Sequence, residues 1–176
     1  TADLFDTFWG PRGIVINSQG HVIITDTGNN RVVVFDKDGN FITQFGAKGM
    51  ESGEFYEPVG LAIDADDWLY VVDTWNQRIQ VFATDATGTY YQFQKEWQVS
   101  GWDGESMENK PFIDVDSLGN VYVTDPDQFR VIAFDRDGNI LRVWGTYSNG
   151  IDGFGKPVGI AVDSSDAVWV SDSENN

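Results

Sequence analysis

A fixed internal repeat constrains this chain more than any other feature. Four times an acidic or amide residue is followed nine positions later by aspartate: Asn17 by Asp26, Asp64 by Asp73, Asp116 by Asp125 and Asp163 by Asp172. The second members lie 47, 52 and 47 residues apart, and self-similarity at periods of roughly 20–50 residues marks chains built from stacked or radially arranged units. The surrounding text repeats as well. Pro58-Val59-Gly60-Leu61-Ala62-Ile63-Asp64 returns as Pro157-Val158-Gly159-Ile160-Ala161-Val162-Asp163. Five residues after the second anchor comes an arginine (Arg31, Arg78, Arg130), and four further on a phenylalanine (Phe35, Phe82, Phe134).

Each unit reads as four short strands. In the first, residues 12–17 alternate and stop at Asn17-Ser18-Gln19-Gly20, and residues 21–25 are rich in β-branched side chains. Residues 31–35 and 41–45 then flank an Asp38-Gly39 turn. Asp-Gly between two such runs signals a hairpin, because glycine takes positive φ without a Cβ clash. Asp137-Gly138 repeats it. No segment keeps a 3.6-residue apolar period, so helices are expected to be nearly absent. Four antiparallel strands per unit, radially repeated, make a propeller blade.

The stretch Pro11 to Gly46, with Thr25-Asp26-Thr27-Gly28-Asn29-Asn30-Arg31-Val32 at its centre, resembles an NHL repeat, and the resemblance extends over essentially the whole chain. It implies an all-β fold, a β-propeller of NHL repeats, most often six-bladed, with the first strand of each blade lining a central channel. One propeller segment is expected over residues 1–176, with units at about 11–46, 55–101, 109–145 and 154–176. Blade two departs from the pattern at Ala83–Gly88, where a longer turn replaces Asp-Gly, and blade three departs in its loop at 125–130. Leu4–Gly10 matches Asn139–Gly145, so residues 1–10 read as a lone outer strand. The last residue, Asn176, precedes the position of the next repeat arginine. Three complete blades plus split or incomplete terminal ones are therefore expected, about fifteen strands in all. On this reading the open blade is completed by another protein chain or by the remainder of its own chain, because unpaired strand edges invite pairing.

Composition narrows the function classes. Asp and Glu number 28 against 11 Lys and Arg, a formal charge of −17. Such a surface repels phosphate backbones and anionic membranes, so no nucleic-acid partner is expected. No apolar run approaches the ~20 residues of a membrane helix, and no direct membrane insertion is expected. There is no cysteine, hence no disulfide, thiolate chemistry or Cys-ligated zinc. An extracellular, cell-surface or periplasmic location is expected, although the opening residues carry no signal-peptide pattern.

Candidates for chemistry are few. His21 is the only histidine and sits in a repeated turn. NHL-like amidating lyases bind zinc through several histidines, and that site cannot be built here. A Ser-His-Asp triad would have to use His21, which has no nucleophile pattern around it. Asp36, Asp38, Asp135 and Asp137 form D-x-D-G strings. A calcium loop needs a bidentate Glu at its twelfth position, and Ala47 and Thr146 stand there. Hairpin turns are the better reading. In the channel, Asp114 stands where Ala62 and Ala161 stand. A buried carboxylate must be solvated or paired, so Asp114 is the channel candidate. No catalytic residue, metal or cofactor is expected, calcium being a possibility that no motif supports.

Repetition once per blade points to architecture, and Asp26, Asp73, Asp125 and Asp172, with Arg31, Arg78 and Arg130, are read as structural. Function breaks the repeat. Trp75 replaces Gly28, Phe129 is an odd aromatic in the equivalent loop, and Tyr56, Trp102 and Tyr147 lie in the connections between blades. In a propeller these loops share one face, so the five aromatics form the candidate binding surface for a protein or a glycan. Trp9 and Trp144 are expected to pack on their own neighbouring blades. The function expected is a non-catalytic binding or scaffolding module, part of a larger protein or assembly. The alternative is a fragment of a propeller-type lyase or hydrolase with a channel site at Asp114.

Overall fold

The structure, a computed structural model, describes residues 7–102 and 110–175. Three four-stranded antiparallel sheets and one two-stranded sheet follow one another along the chain. The first holds β1 (Pro11–Ile16), β2 (Val22–Asp26), β3 (Arg31–Phe35) and β4 (Phe41–Phe45). The second holds β5 (Pro58–Ile63), β6 (Leu69–Asp73), β7 (Arg78–Thr84) and β8 (Tyr91–Gln98). The third holds β9 (Ile113–Val115), β10 (Val121–Asp125), β11 (Arg130–Phe134) and β12 (Ile140–Trp144). The fourth pairs β13 (Pro157–Val162) with β14 (Val168–Asp172). Among the described residues the helical content is one 3₁₀ turn, Thr27–Asn29.

The blades share their irregularities as well as their strands. Each Pro-x-Gly inner strand slips register near its start, at Pro11/Ile14, Pro58/Leu61 and Pro157/Gly159. The third and fourth strands slip just before Phe35, Phe82 and Phe134. The longer turn of blade two lengthens its outer hairpin, adding the pairs Ala83↔Gln92 and Thr84↔Tyr91. The lone outer strand expected over residues 1–10 falls partly on residues 1–6, outside the described residues. Residues 7–10 form no strand, so the described strands number fourteen. Here the chain bends to bring the Trp9 N–H onto Asp26 Oδ1 at 2.8 Å.

Strand alternation explains the core. In β6, Leu69 and Val71 face blade one, joining Ile23, Val34, Phe55 and Phe82. Tyr70 and Val72 face the other way, joining Ile79, Val121, Val123 and Phe134 against blade three. Successive side chains on a strand point to opposite faces, so blade two is apolar on both and is packed between its neighbours. The inner strands β1, β5, β9 and β13 converge on one hollow of about 280 Å³, whose lining includes Val15, Leu61, Ile113, Asp114 and Ile160.

Candidate functional site

In blades one, two and four the repeated aspartates tie the incoming connection to the inner loop. Asp26 takes the Trp9 N–H on Oδ1 and, on Oδ2, Asn29 Nδ2 and Arg31 Nε, each at 2.8 Å. Asp73 does the same with the Tyr56 N–H at 2.7 Å, Asn76 Nδ2 at 2.9 Å and Arg78 Nε at 2.8 Å. Arg78 then donates to the carbonyls of Met50, Glu51 and Glu54. Burial outweighs these donors at Asp73 and raises its carboxyl above the usual range. The pair is fully enclosed, and removing either partner would strand the other. In blade three Arg130 holds Asp125 at 2.8 Å. In blade four Asp172 accepts the Gly155 and Lys156 N–H groups at 2.7 Å.

The loop aromatics do not form one cluster. Tyr56 stacks on Trp75 with ring centroids 5.8 Å apart. Phe129 meets the edge of Tyr147 at 5.0 Å, and Tyr147 is 59% exposed. Trp102 departs from its expected place on the surface: it is only 3% exposed and packs with Val99 and Ile113 between blades two and three. A loop indole is free to turn inward wherever two sheets leave an apolar gap. Trp9 packs on its own blade, as expected, but only by one side. It covers Gly28, where a Cβ would come within 2.7 Å of the indole, yet it is 69% exposed.

Around Trp9 and Tyr56 lies a cleft of about 420 Å³ between blades one and two, whose lining includes Arg12, Lys48, Glu57 and Lys110. Lys110 is buried and pairs with Glu57 Oε2 at 3.0 Å. Its Nζ also sits 5.1 Å from the centre of the Trp75 ring. Burial opposes ionisation of Glu57, but the Lys110 bond, the nearby Trp75 indole N–H and the Arg12 charge together hold its carboxyl below the usual range. That indole N–H closes no hydrogen bond of its own. Glu57 is fixed in the left-handed region at φ 54° by its N–H bond to Asn30 Oδ1, 2.9 Å away on blade one. Lys48 Nζ lies 4.4 Å over the Tyr56 ring. The cleft thus combines three cations, one carboxylate and an aromatic floor.

The repeat does not supply this set. Lys110 stands where Pro11, Pro58 and Pro157 stand, a break in the repeat that was not among the candidates drawn from the sequence and that could have pointed to the cleft. In the corresponding seam between blades three and four, Arg12, Lys48 and Tyr56 give way to Pro111, Tyr147 and Gly155. Asp114, in the channel, has both carboxylate oxygens engaged, by the Val115 N–H at 2.9 Å and by the Val162 N–H of the next blade at 2.7 Å. His21 Nδ1 lies 3.1 Å from the Gly88 carbonyl of blade two. Among the described residues no three His, Asp or Glu side chains gather as a metal cage.

Residues 13–101 match the family described as 6-bladed beta-propeller. The chain belongs to that family. Residues 154–176 match the NHL repeat, so this is a partial NHL propeller. The B-box type zinc finger protein ncl-1 of Caenorhabditis elegans is 35% identical over 135 residues, covering 77% of this chain. The chain spans only 12% and 15% of the length of the curated relatives it matches. Among solved structures, a catalytically inactive virginiamycin B lyase from Staphylococcus aureus superposes with a TM-score of 0.67 at 21% identity. It matches 95% of this chain and 50% of the lyase. The nidogen/laminin complex gives 0.65 at 20% identity, over 94% of this chain and 57% of its counterpart. At these identities the likeness is one of fold.

Proposed function

We propose that this propeller segment is a non-catalytic protein-interaction module that binds through the cleft between blades one and two. The observation that carries the reading is the break in the repeat: aromatic and cationic side chains converge in one seam and are replaced in its counterpart. Interfaces are enriched in Trp, Tyr and Arg for their large rigid contact area and paired charge. The same fold serves a lyase and a member of a nidogen/laminin complex, so fold alone does not choose between enzyme and binder. The engagement of both Asp114 oxygens by backbone N–H groups favours the binder over a channel reaction. A glycan ring on Trp9 is the secondary form of the same reading. The family is six-bladed, and the further blades are supplied by the rest of the polypeptide or by another chain.

Panning a phage-displayed random peptide library against the immobilised chain tests this. Enriched clones should lose binding to the Trp9→Ala, Tyr56→Ala double variant. No enrichment, or clones indifferent to that variant, would overturn it.

A further inference from the structure

The charges in the cleft say more about its partner than its shape does. The chain has 11 basic residues against 28 acidic ones, so a basic side chain has many carboxylates within reach. Eight of the basic residues make ion pairs within the described residues. Arg12, Lys48 and Arg142 make none there, and Arg12 and Lys48 both line this cleft. Arg12 is exposed, as is Lys48, which rests on Tyr56 and not on a carboxylate. On a molecule of charge −17, two cations without an ion pair among the described residues, beside an exposed indole, form a local attractor for negative charge.

The floor is already balanced. Lys110 and Glu57 satisfy each other below the rim, so the free positive charge belongs to the two rim residues. The Trp9 ring offers a flat apolar surface beside them. A ligand matched to this arrangement carries carboxylates to pair with Arg12 and Lys48, and an apolar or aromatic side chain to lie on Trp9. Arginine suits a carboxylate because its planar fork can bond both oxygens.

Resting on the reading of this cleft as a protein-binding surface, we propose that its partner is an acidic peptide segment with an aromatic or aliphatic residue between its carboxylates. A nucleic acid fits less well. Backbone binding needs many cations spread along a track, whereas this rim has two, set in an acidic surround that repels a polyphosphate.

The test titrates the whole chain with three probes of equal length by calorimetry. One is an acetylated, amidated pentapeptide of four glutamates around a central phenylalanine. The second carries glutamine in place of each glutamate, and the third is a single-stranded RNA pentamer. The acidic peptide should bind, and its affinity should fall with added salt as exposed charges are screened. Arg12→Ala with Lys48→Ala should weaken it by about tenfold, the equivalent of two exposed ion pairs. Both side chains are exposed and make no ion pair among the described residues, so the double variant should stay folded, with a melting temperature lowered by no more than the loss of a surface cation–π contact and a surface charge implies. Equal binding of the glutamine peptide, tighter binding of the RNA, or no binding of the acidic peptide would each overturn the proposal. If library panning still yields neutral peptides that need Trp9 and Tyr56, the interaction surface stands and only its acidic preference falls.

Discussion

Asp116 shows what the repeated turn anchors do. Its carboxylate accepts the N–H groups of Leu118 and Asn120 at 2.9 and 2.8 Å, Asn120 Nδ2 at 2.8 Å and the Tyr122 hydroxyl at 3.0 Å. Burial opposes the charge, but the Asn120 and Tyr122 bonds win and hold the carboxyl below the usual range. The folded value therefore lies under the unfolded one, and as pH falls the unfolded chain takes up the proton first. The stabilisation is complete above the ordinary carboxylate value of about 4 and is lost as pH falls through the lower folded value. Asp116→Asn should cost about 1–3 kcal/mol at pH 7, because the Asn120 side-chain amide and the Tyr122 hydroxyl, which both donate to Oδ2, then face an NH2 group. The gap to the wild type should narrow at pH 3, and urea melts at the two pH values check this. These anchors were legible in the sequence because the architecture requires one per blade. Lys110 was legible only as an intruder in a proline position. That it turns onto Glu57 was not, because the contact joins residues 53 apart across two blades. Trp102 and Tyr147 look alike as letters, and only the gap between sheets decides which one turns inward.

The inner strands pack at unusually close range. A methyl group on Gly13 of β1 would run well inside contact distance of the Val59 carbonyl of β5, whereas one on Gly60 would meet the Ile113 and Val72 side chains at 3.1 Å and the Ile113 backbone nitrogen no closer than 3.2 Å. Backbone cannot yield as a side-chain methyl can. Gly13→Ala should therefore destabilise by about 1–3 kcal/mol, the range of core overpacking, and Gly60→Ala by less. Thermal melts of the two variants give the order, and the reverse order would show that the β1–β5 seam is looser than described. At this scale the sequence was nearly sufficient. The strand ends follow from alternation and from turn residues, and they fall within a residue or so of the expected positions in blade one. The seam distances were not readable, because nothing local to Pro-x-Gly states how near the next blade comes.

At the scale of the whole molecule, charge governs behaviour. The net charge of −17 vanishes near pH 4.1, and with it the repulsion that keeps copies apart. Light scattering should show self-association rising as pH approaches that value and reversing on return to neutrality, while a flat trace would show that another force keeps the copies separate. The seams between blades add a second regularity. Ser18 donates its N–H and hydroxyl to Asp67, and Ser117 does the same to Asp166. Ala65 and Gly119 occupy these positions in the seam between blades two and three. There Arg136 reaches Asp64 and Asp66 at 2.9 and 2.7 Å instead. Fastenings thus alternate, serine at one joint and arginine at the next. Across the three described seams, blades one and three reach their following neighbour through the same serine fastening, and blade two is the one held by an arginine.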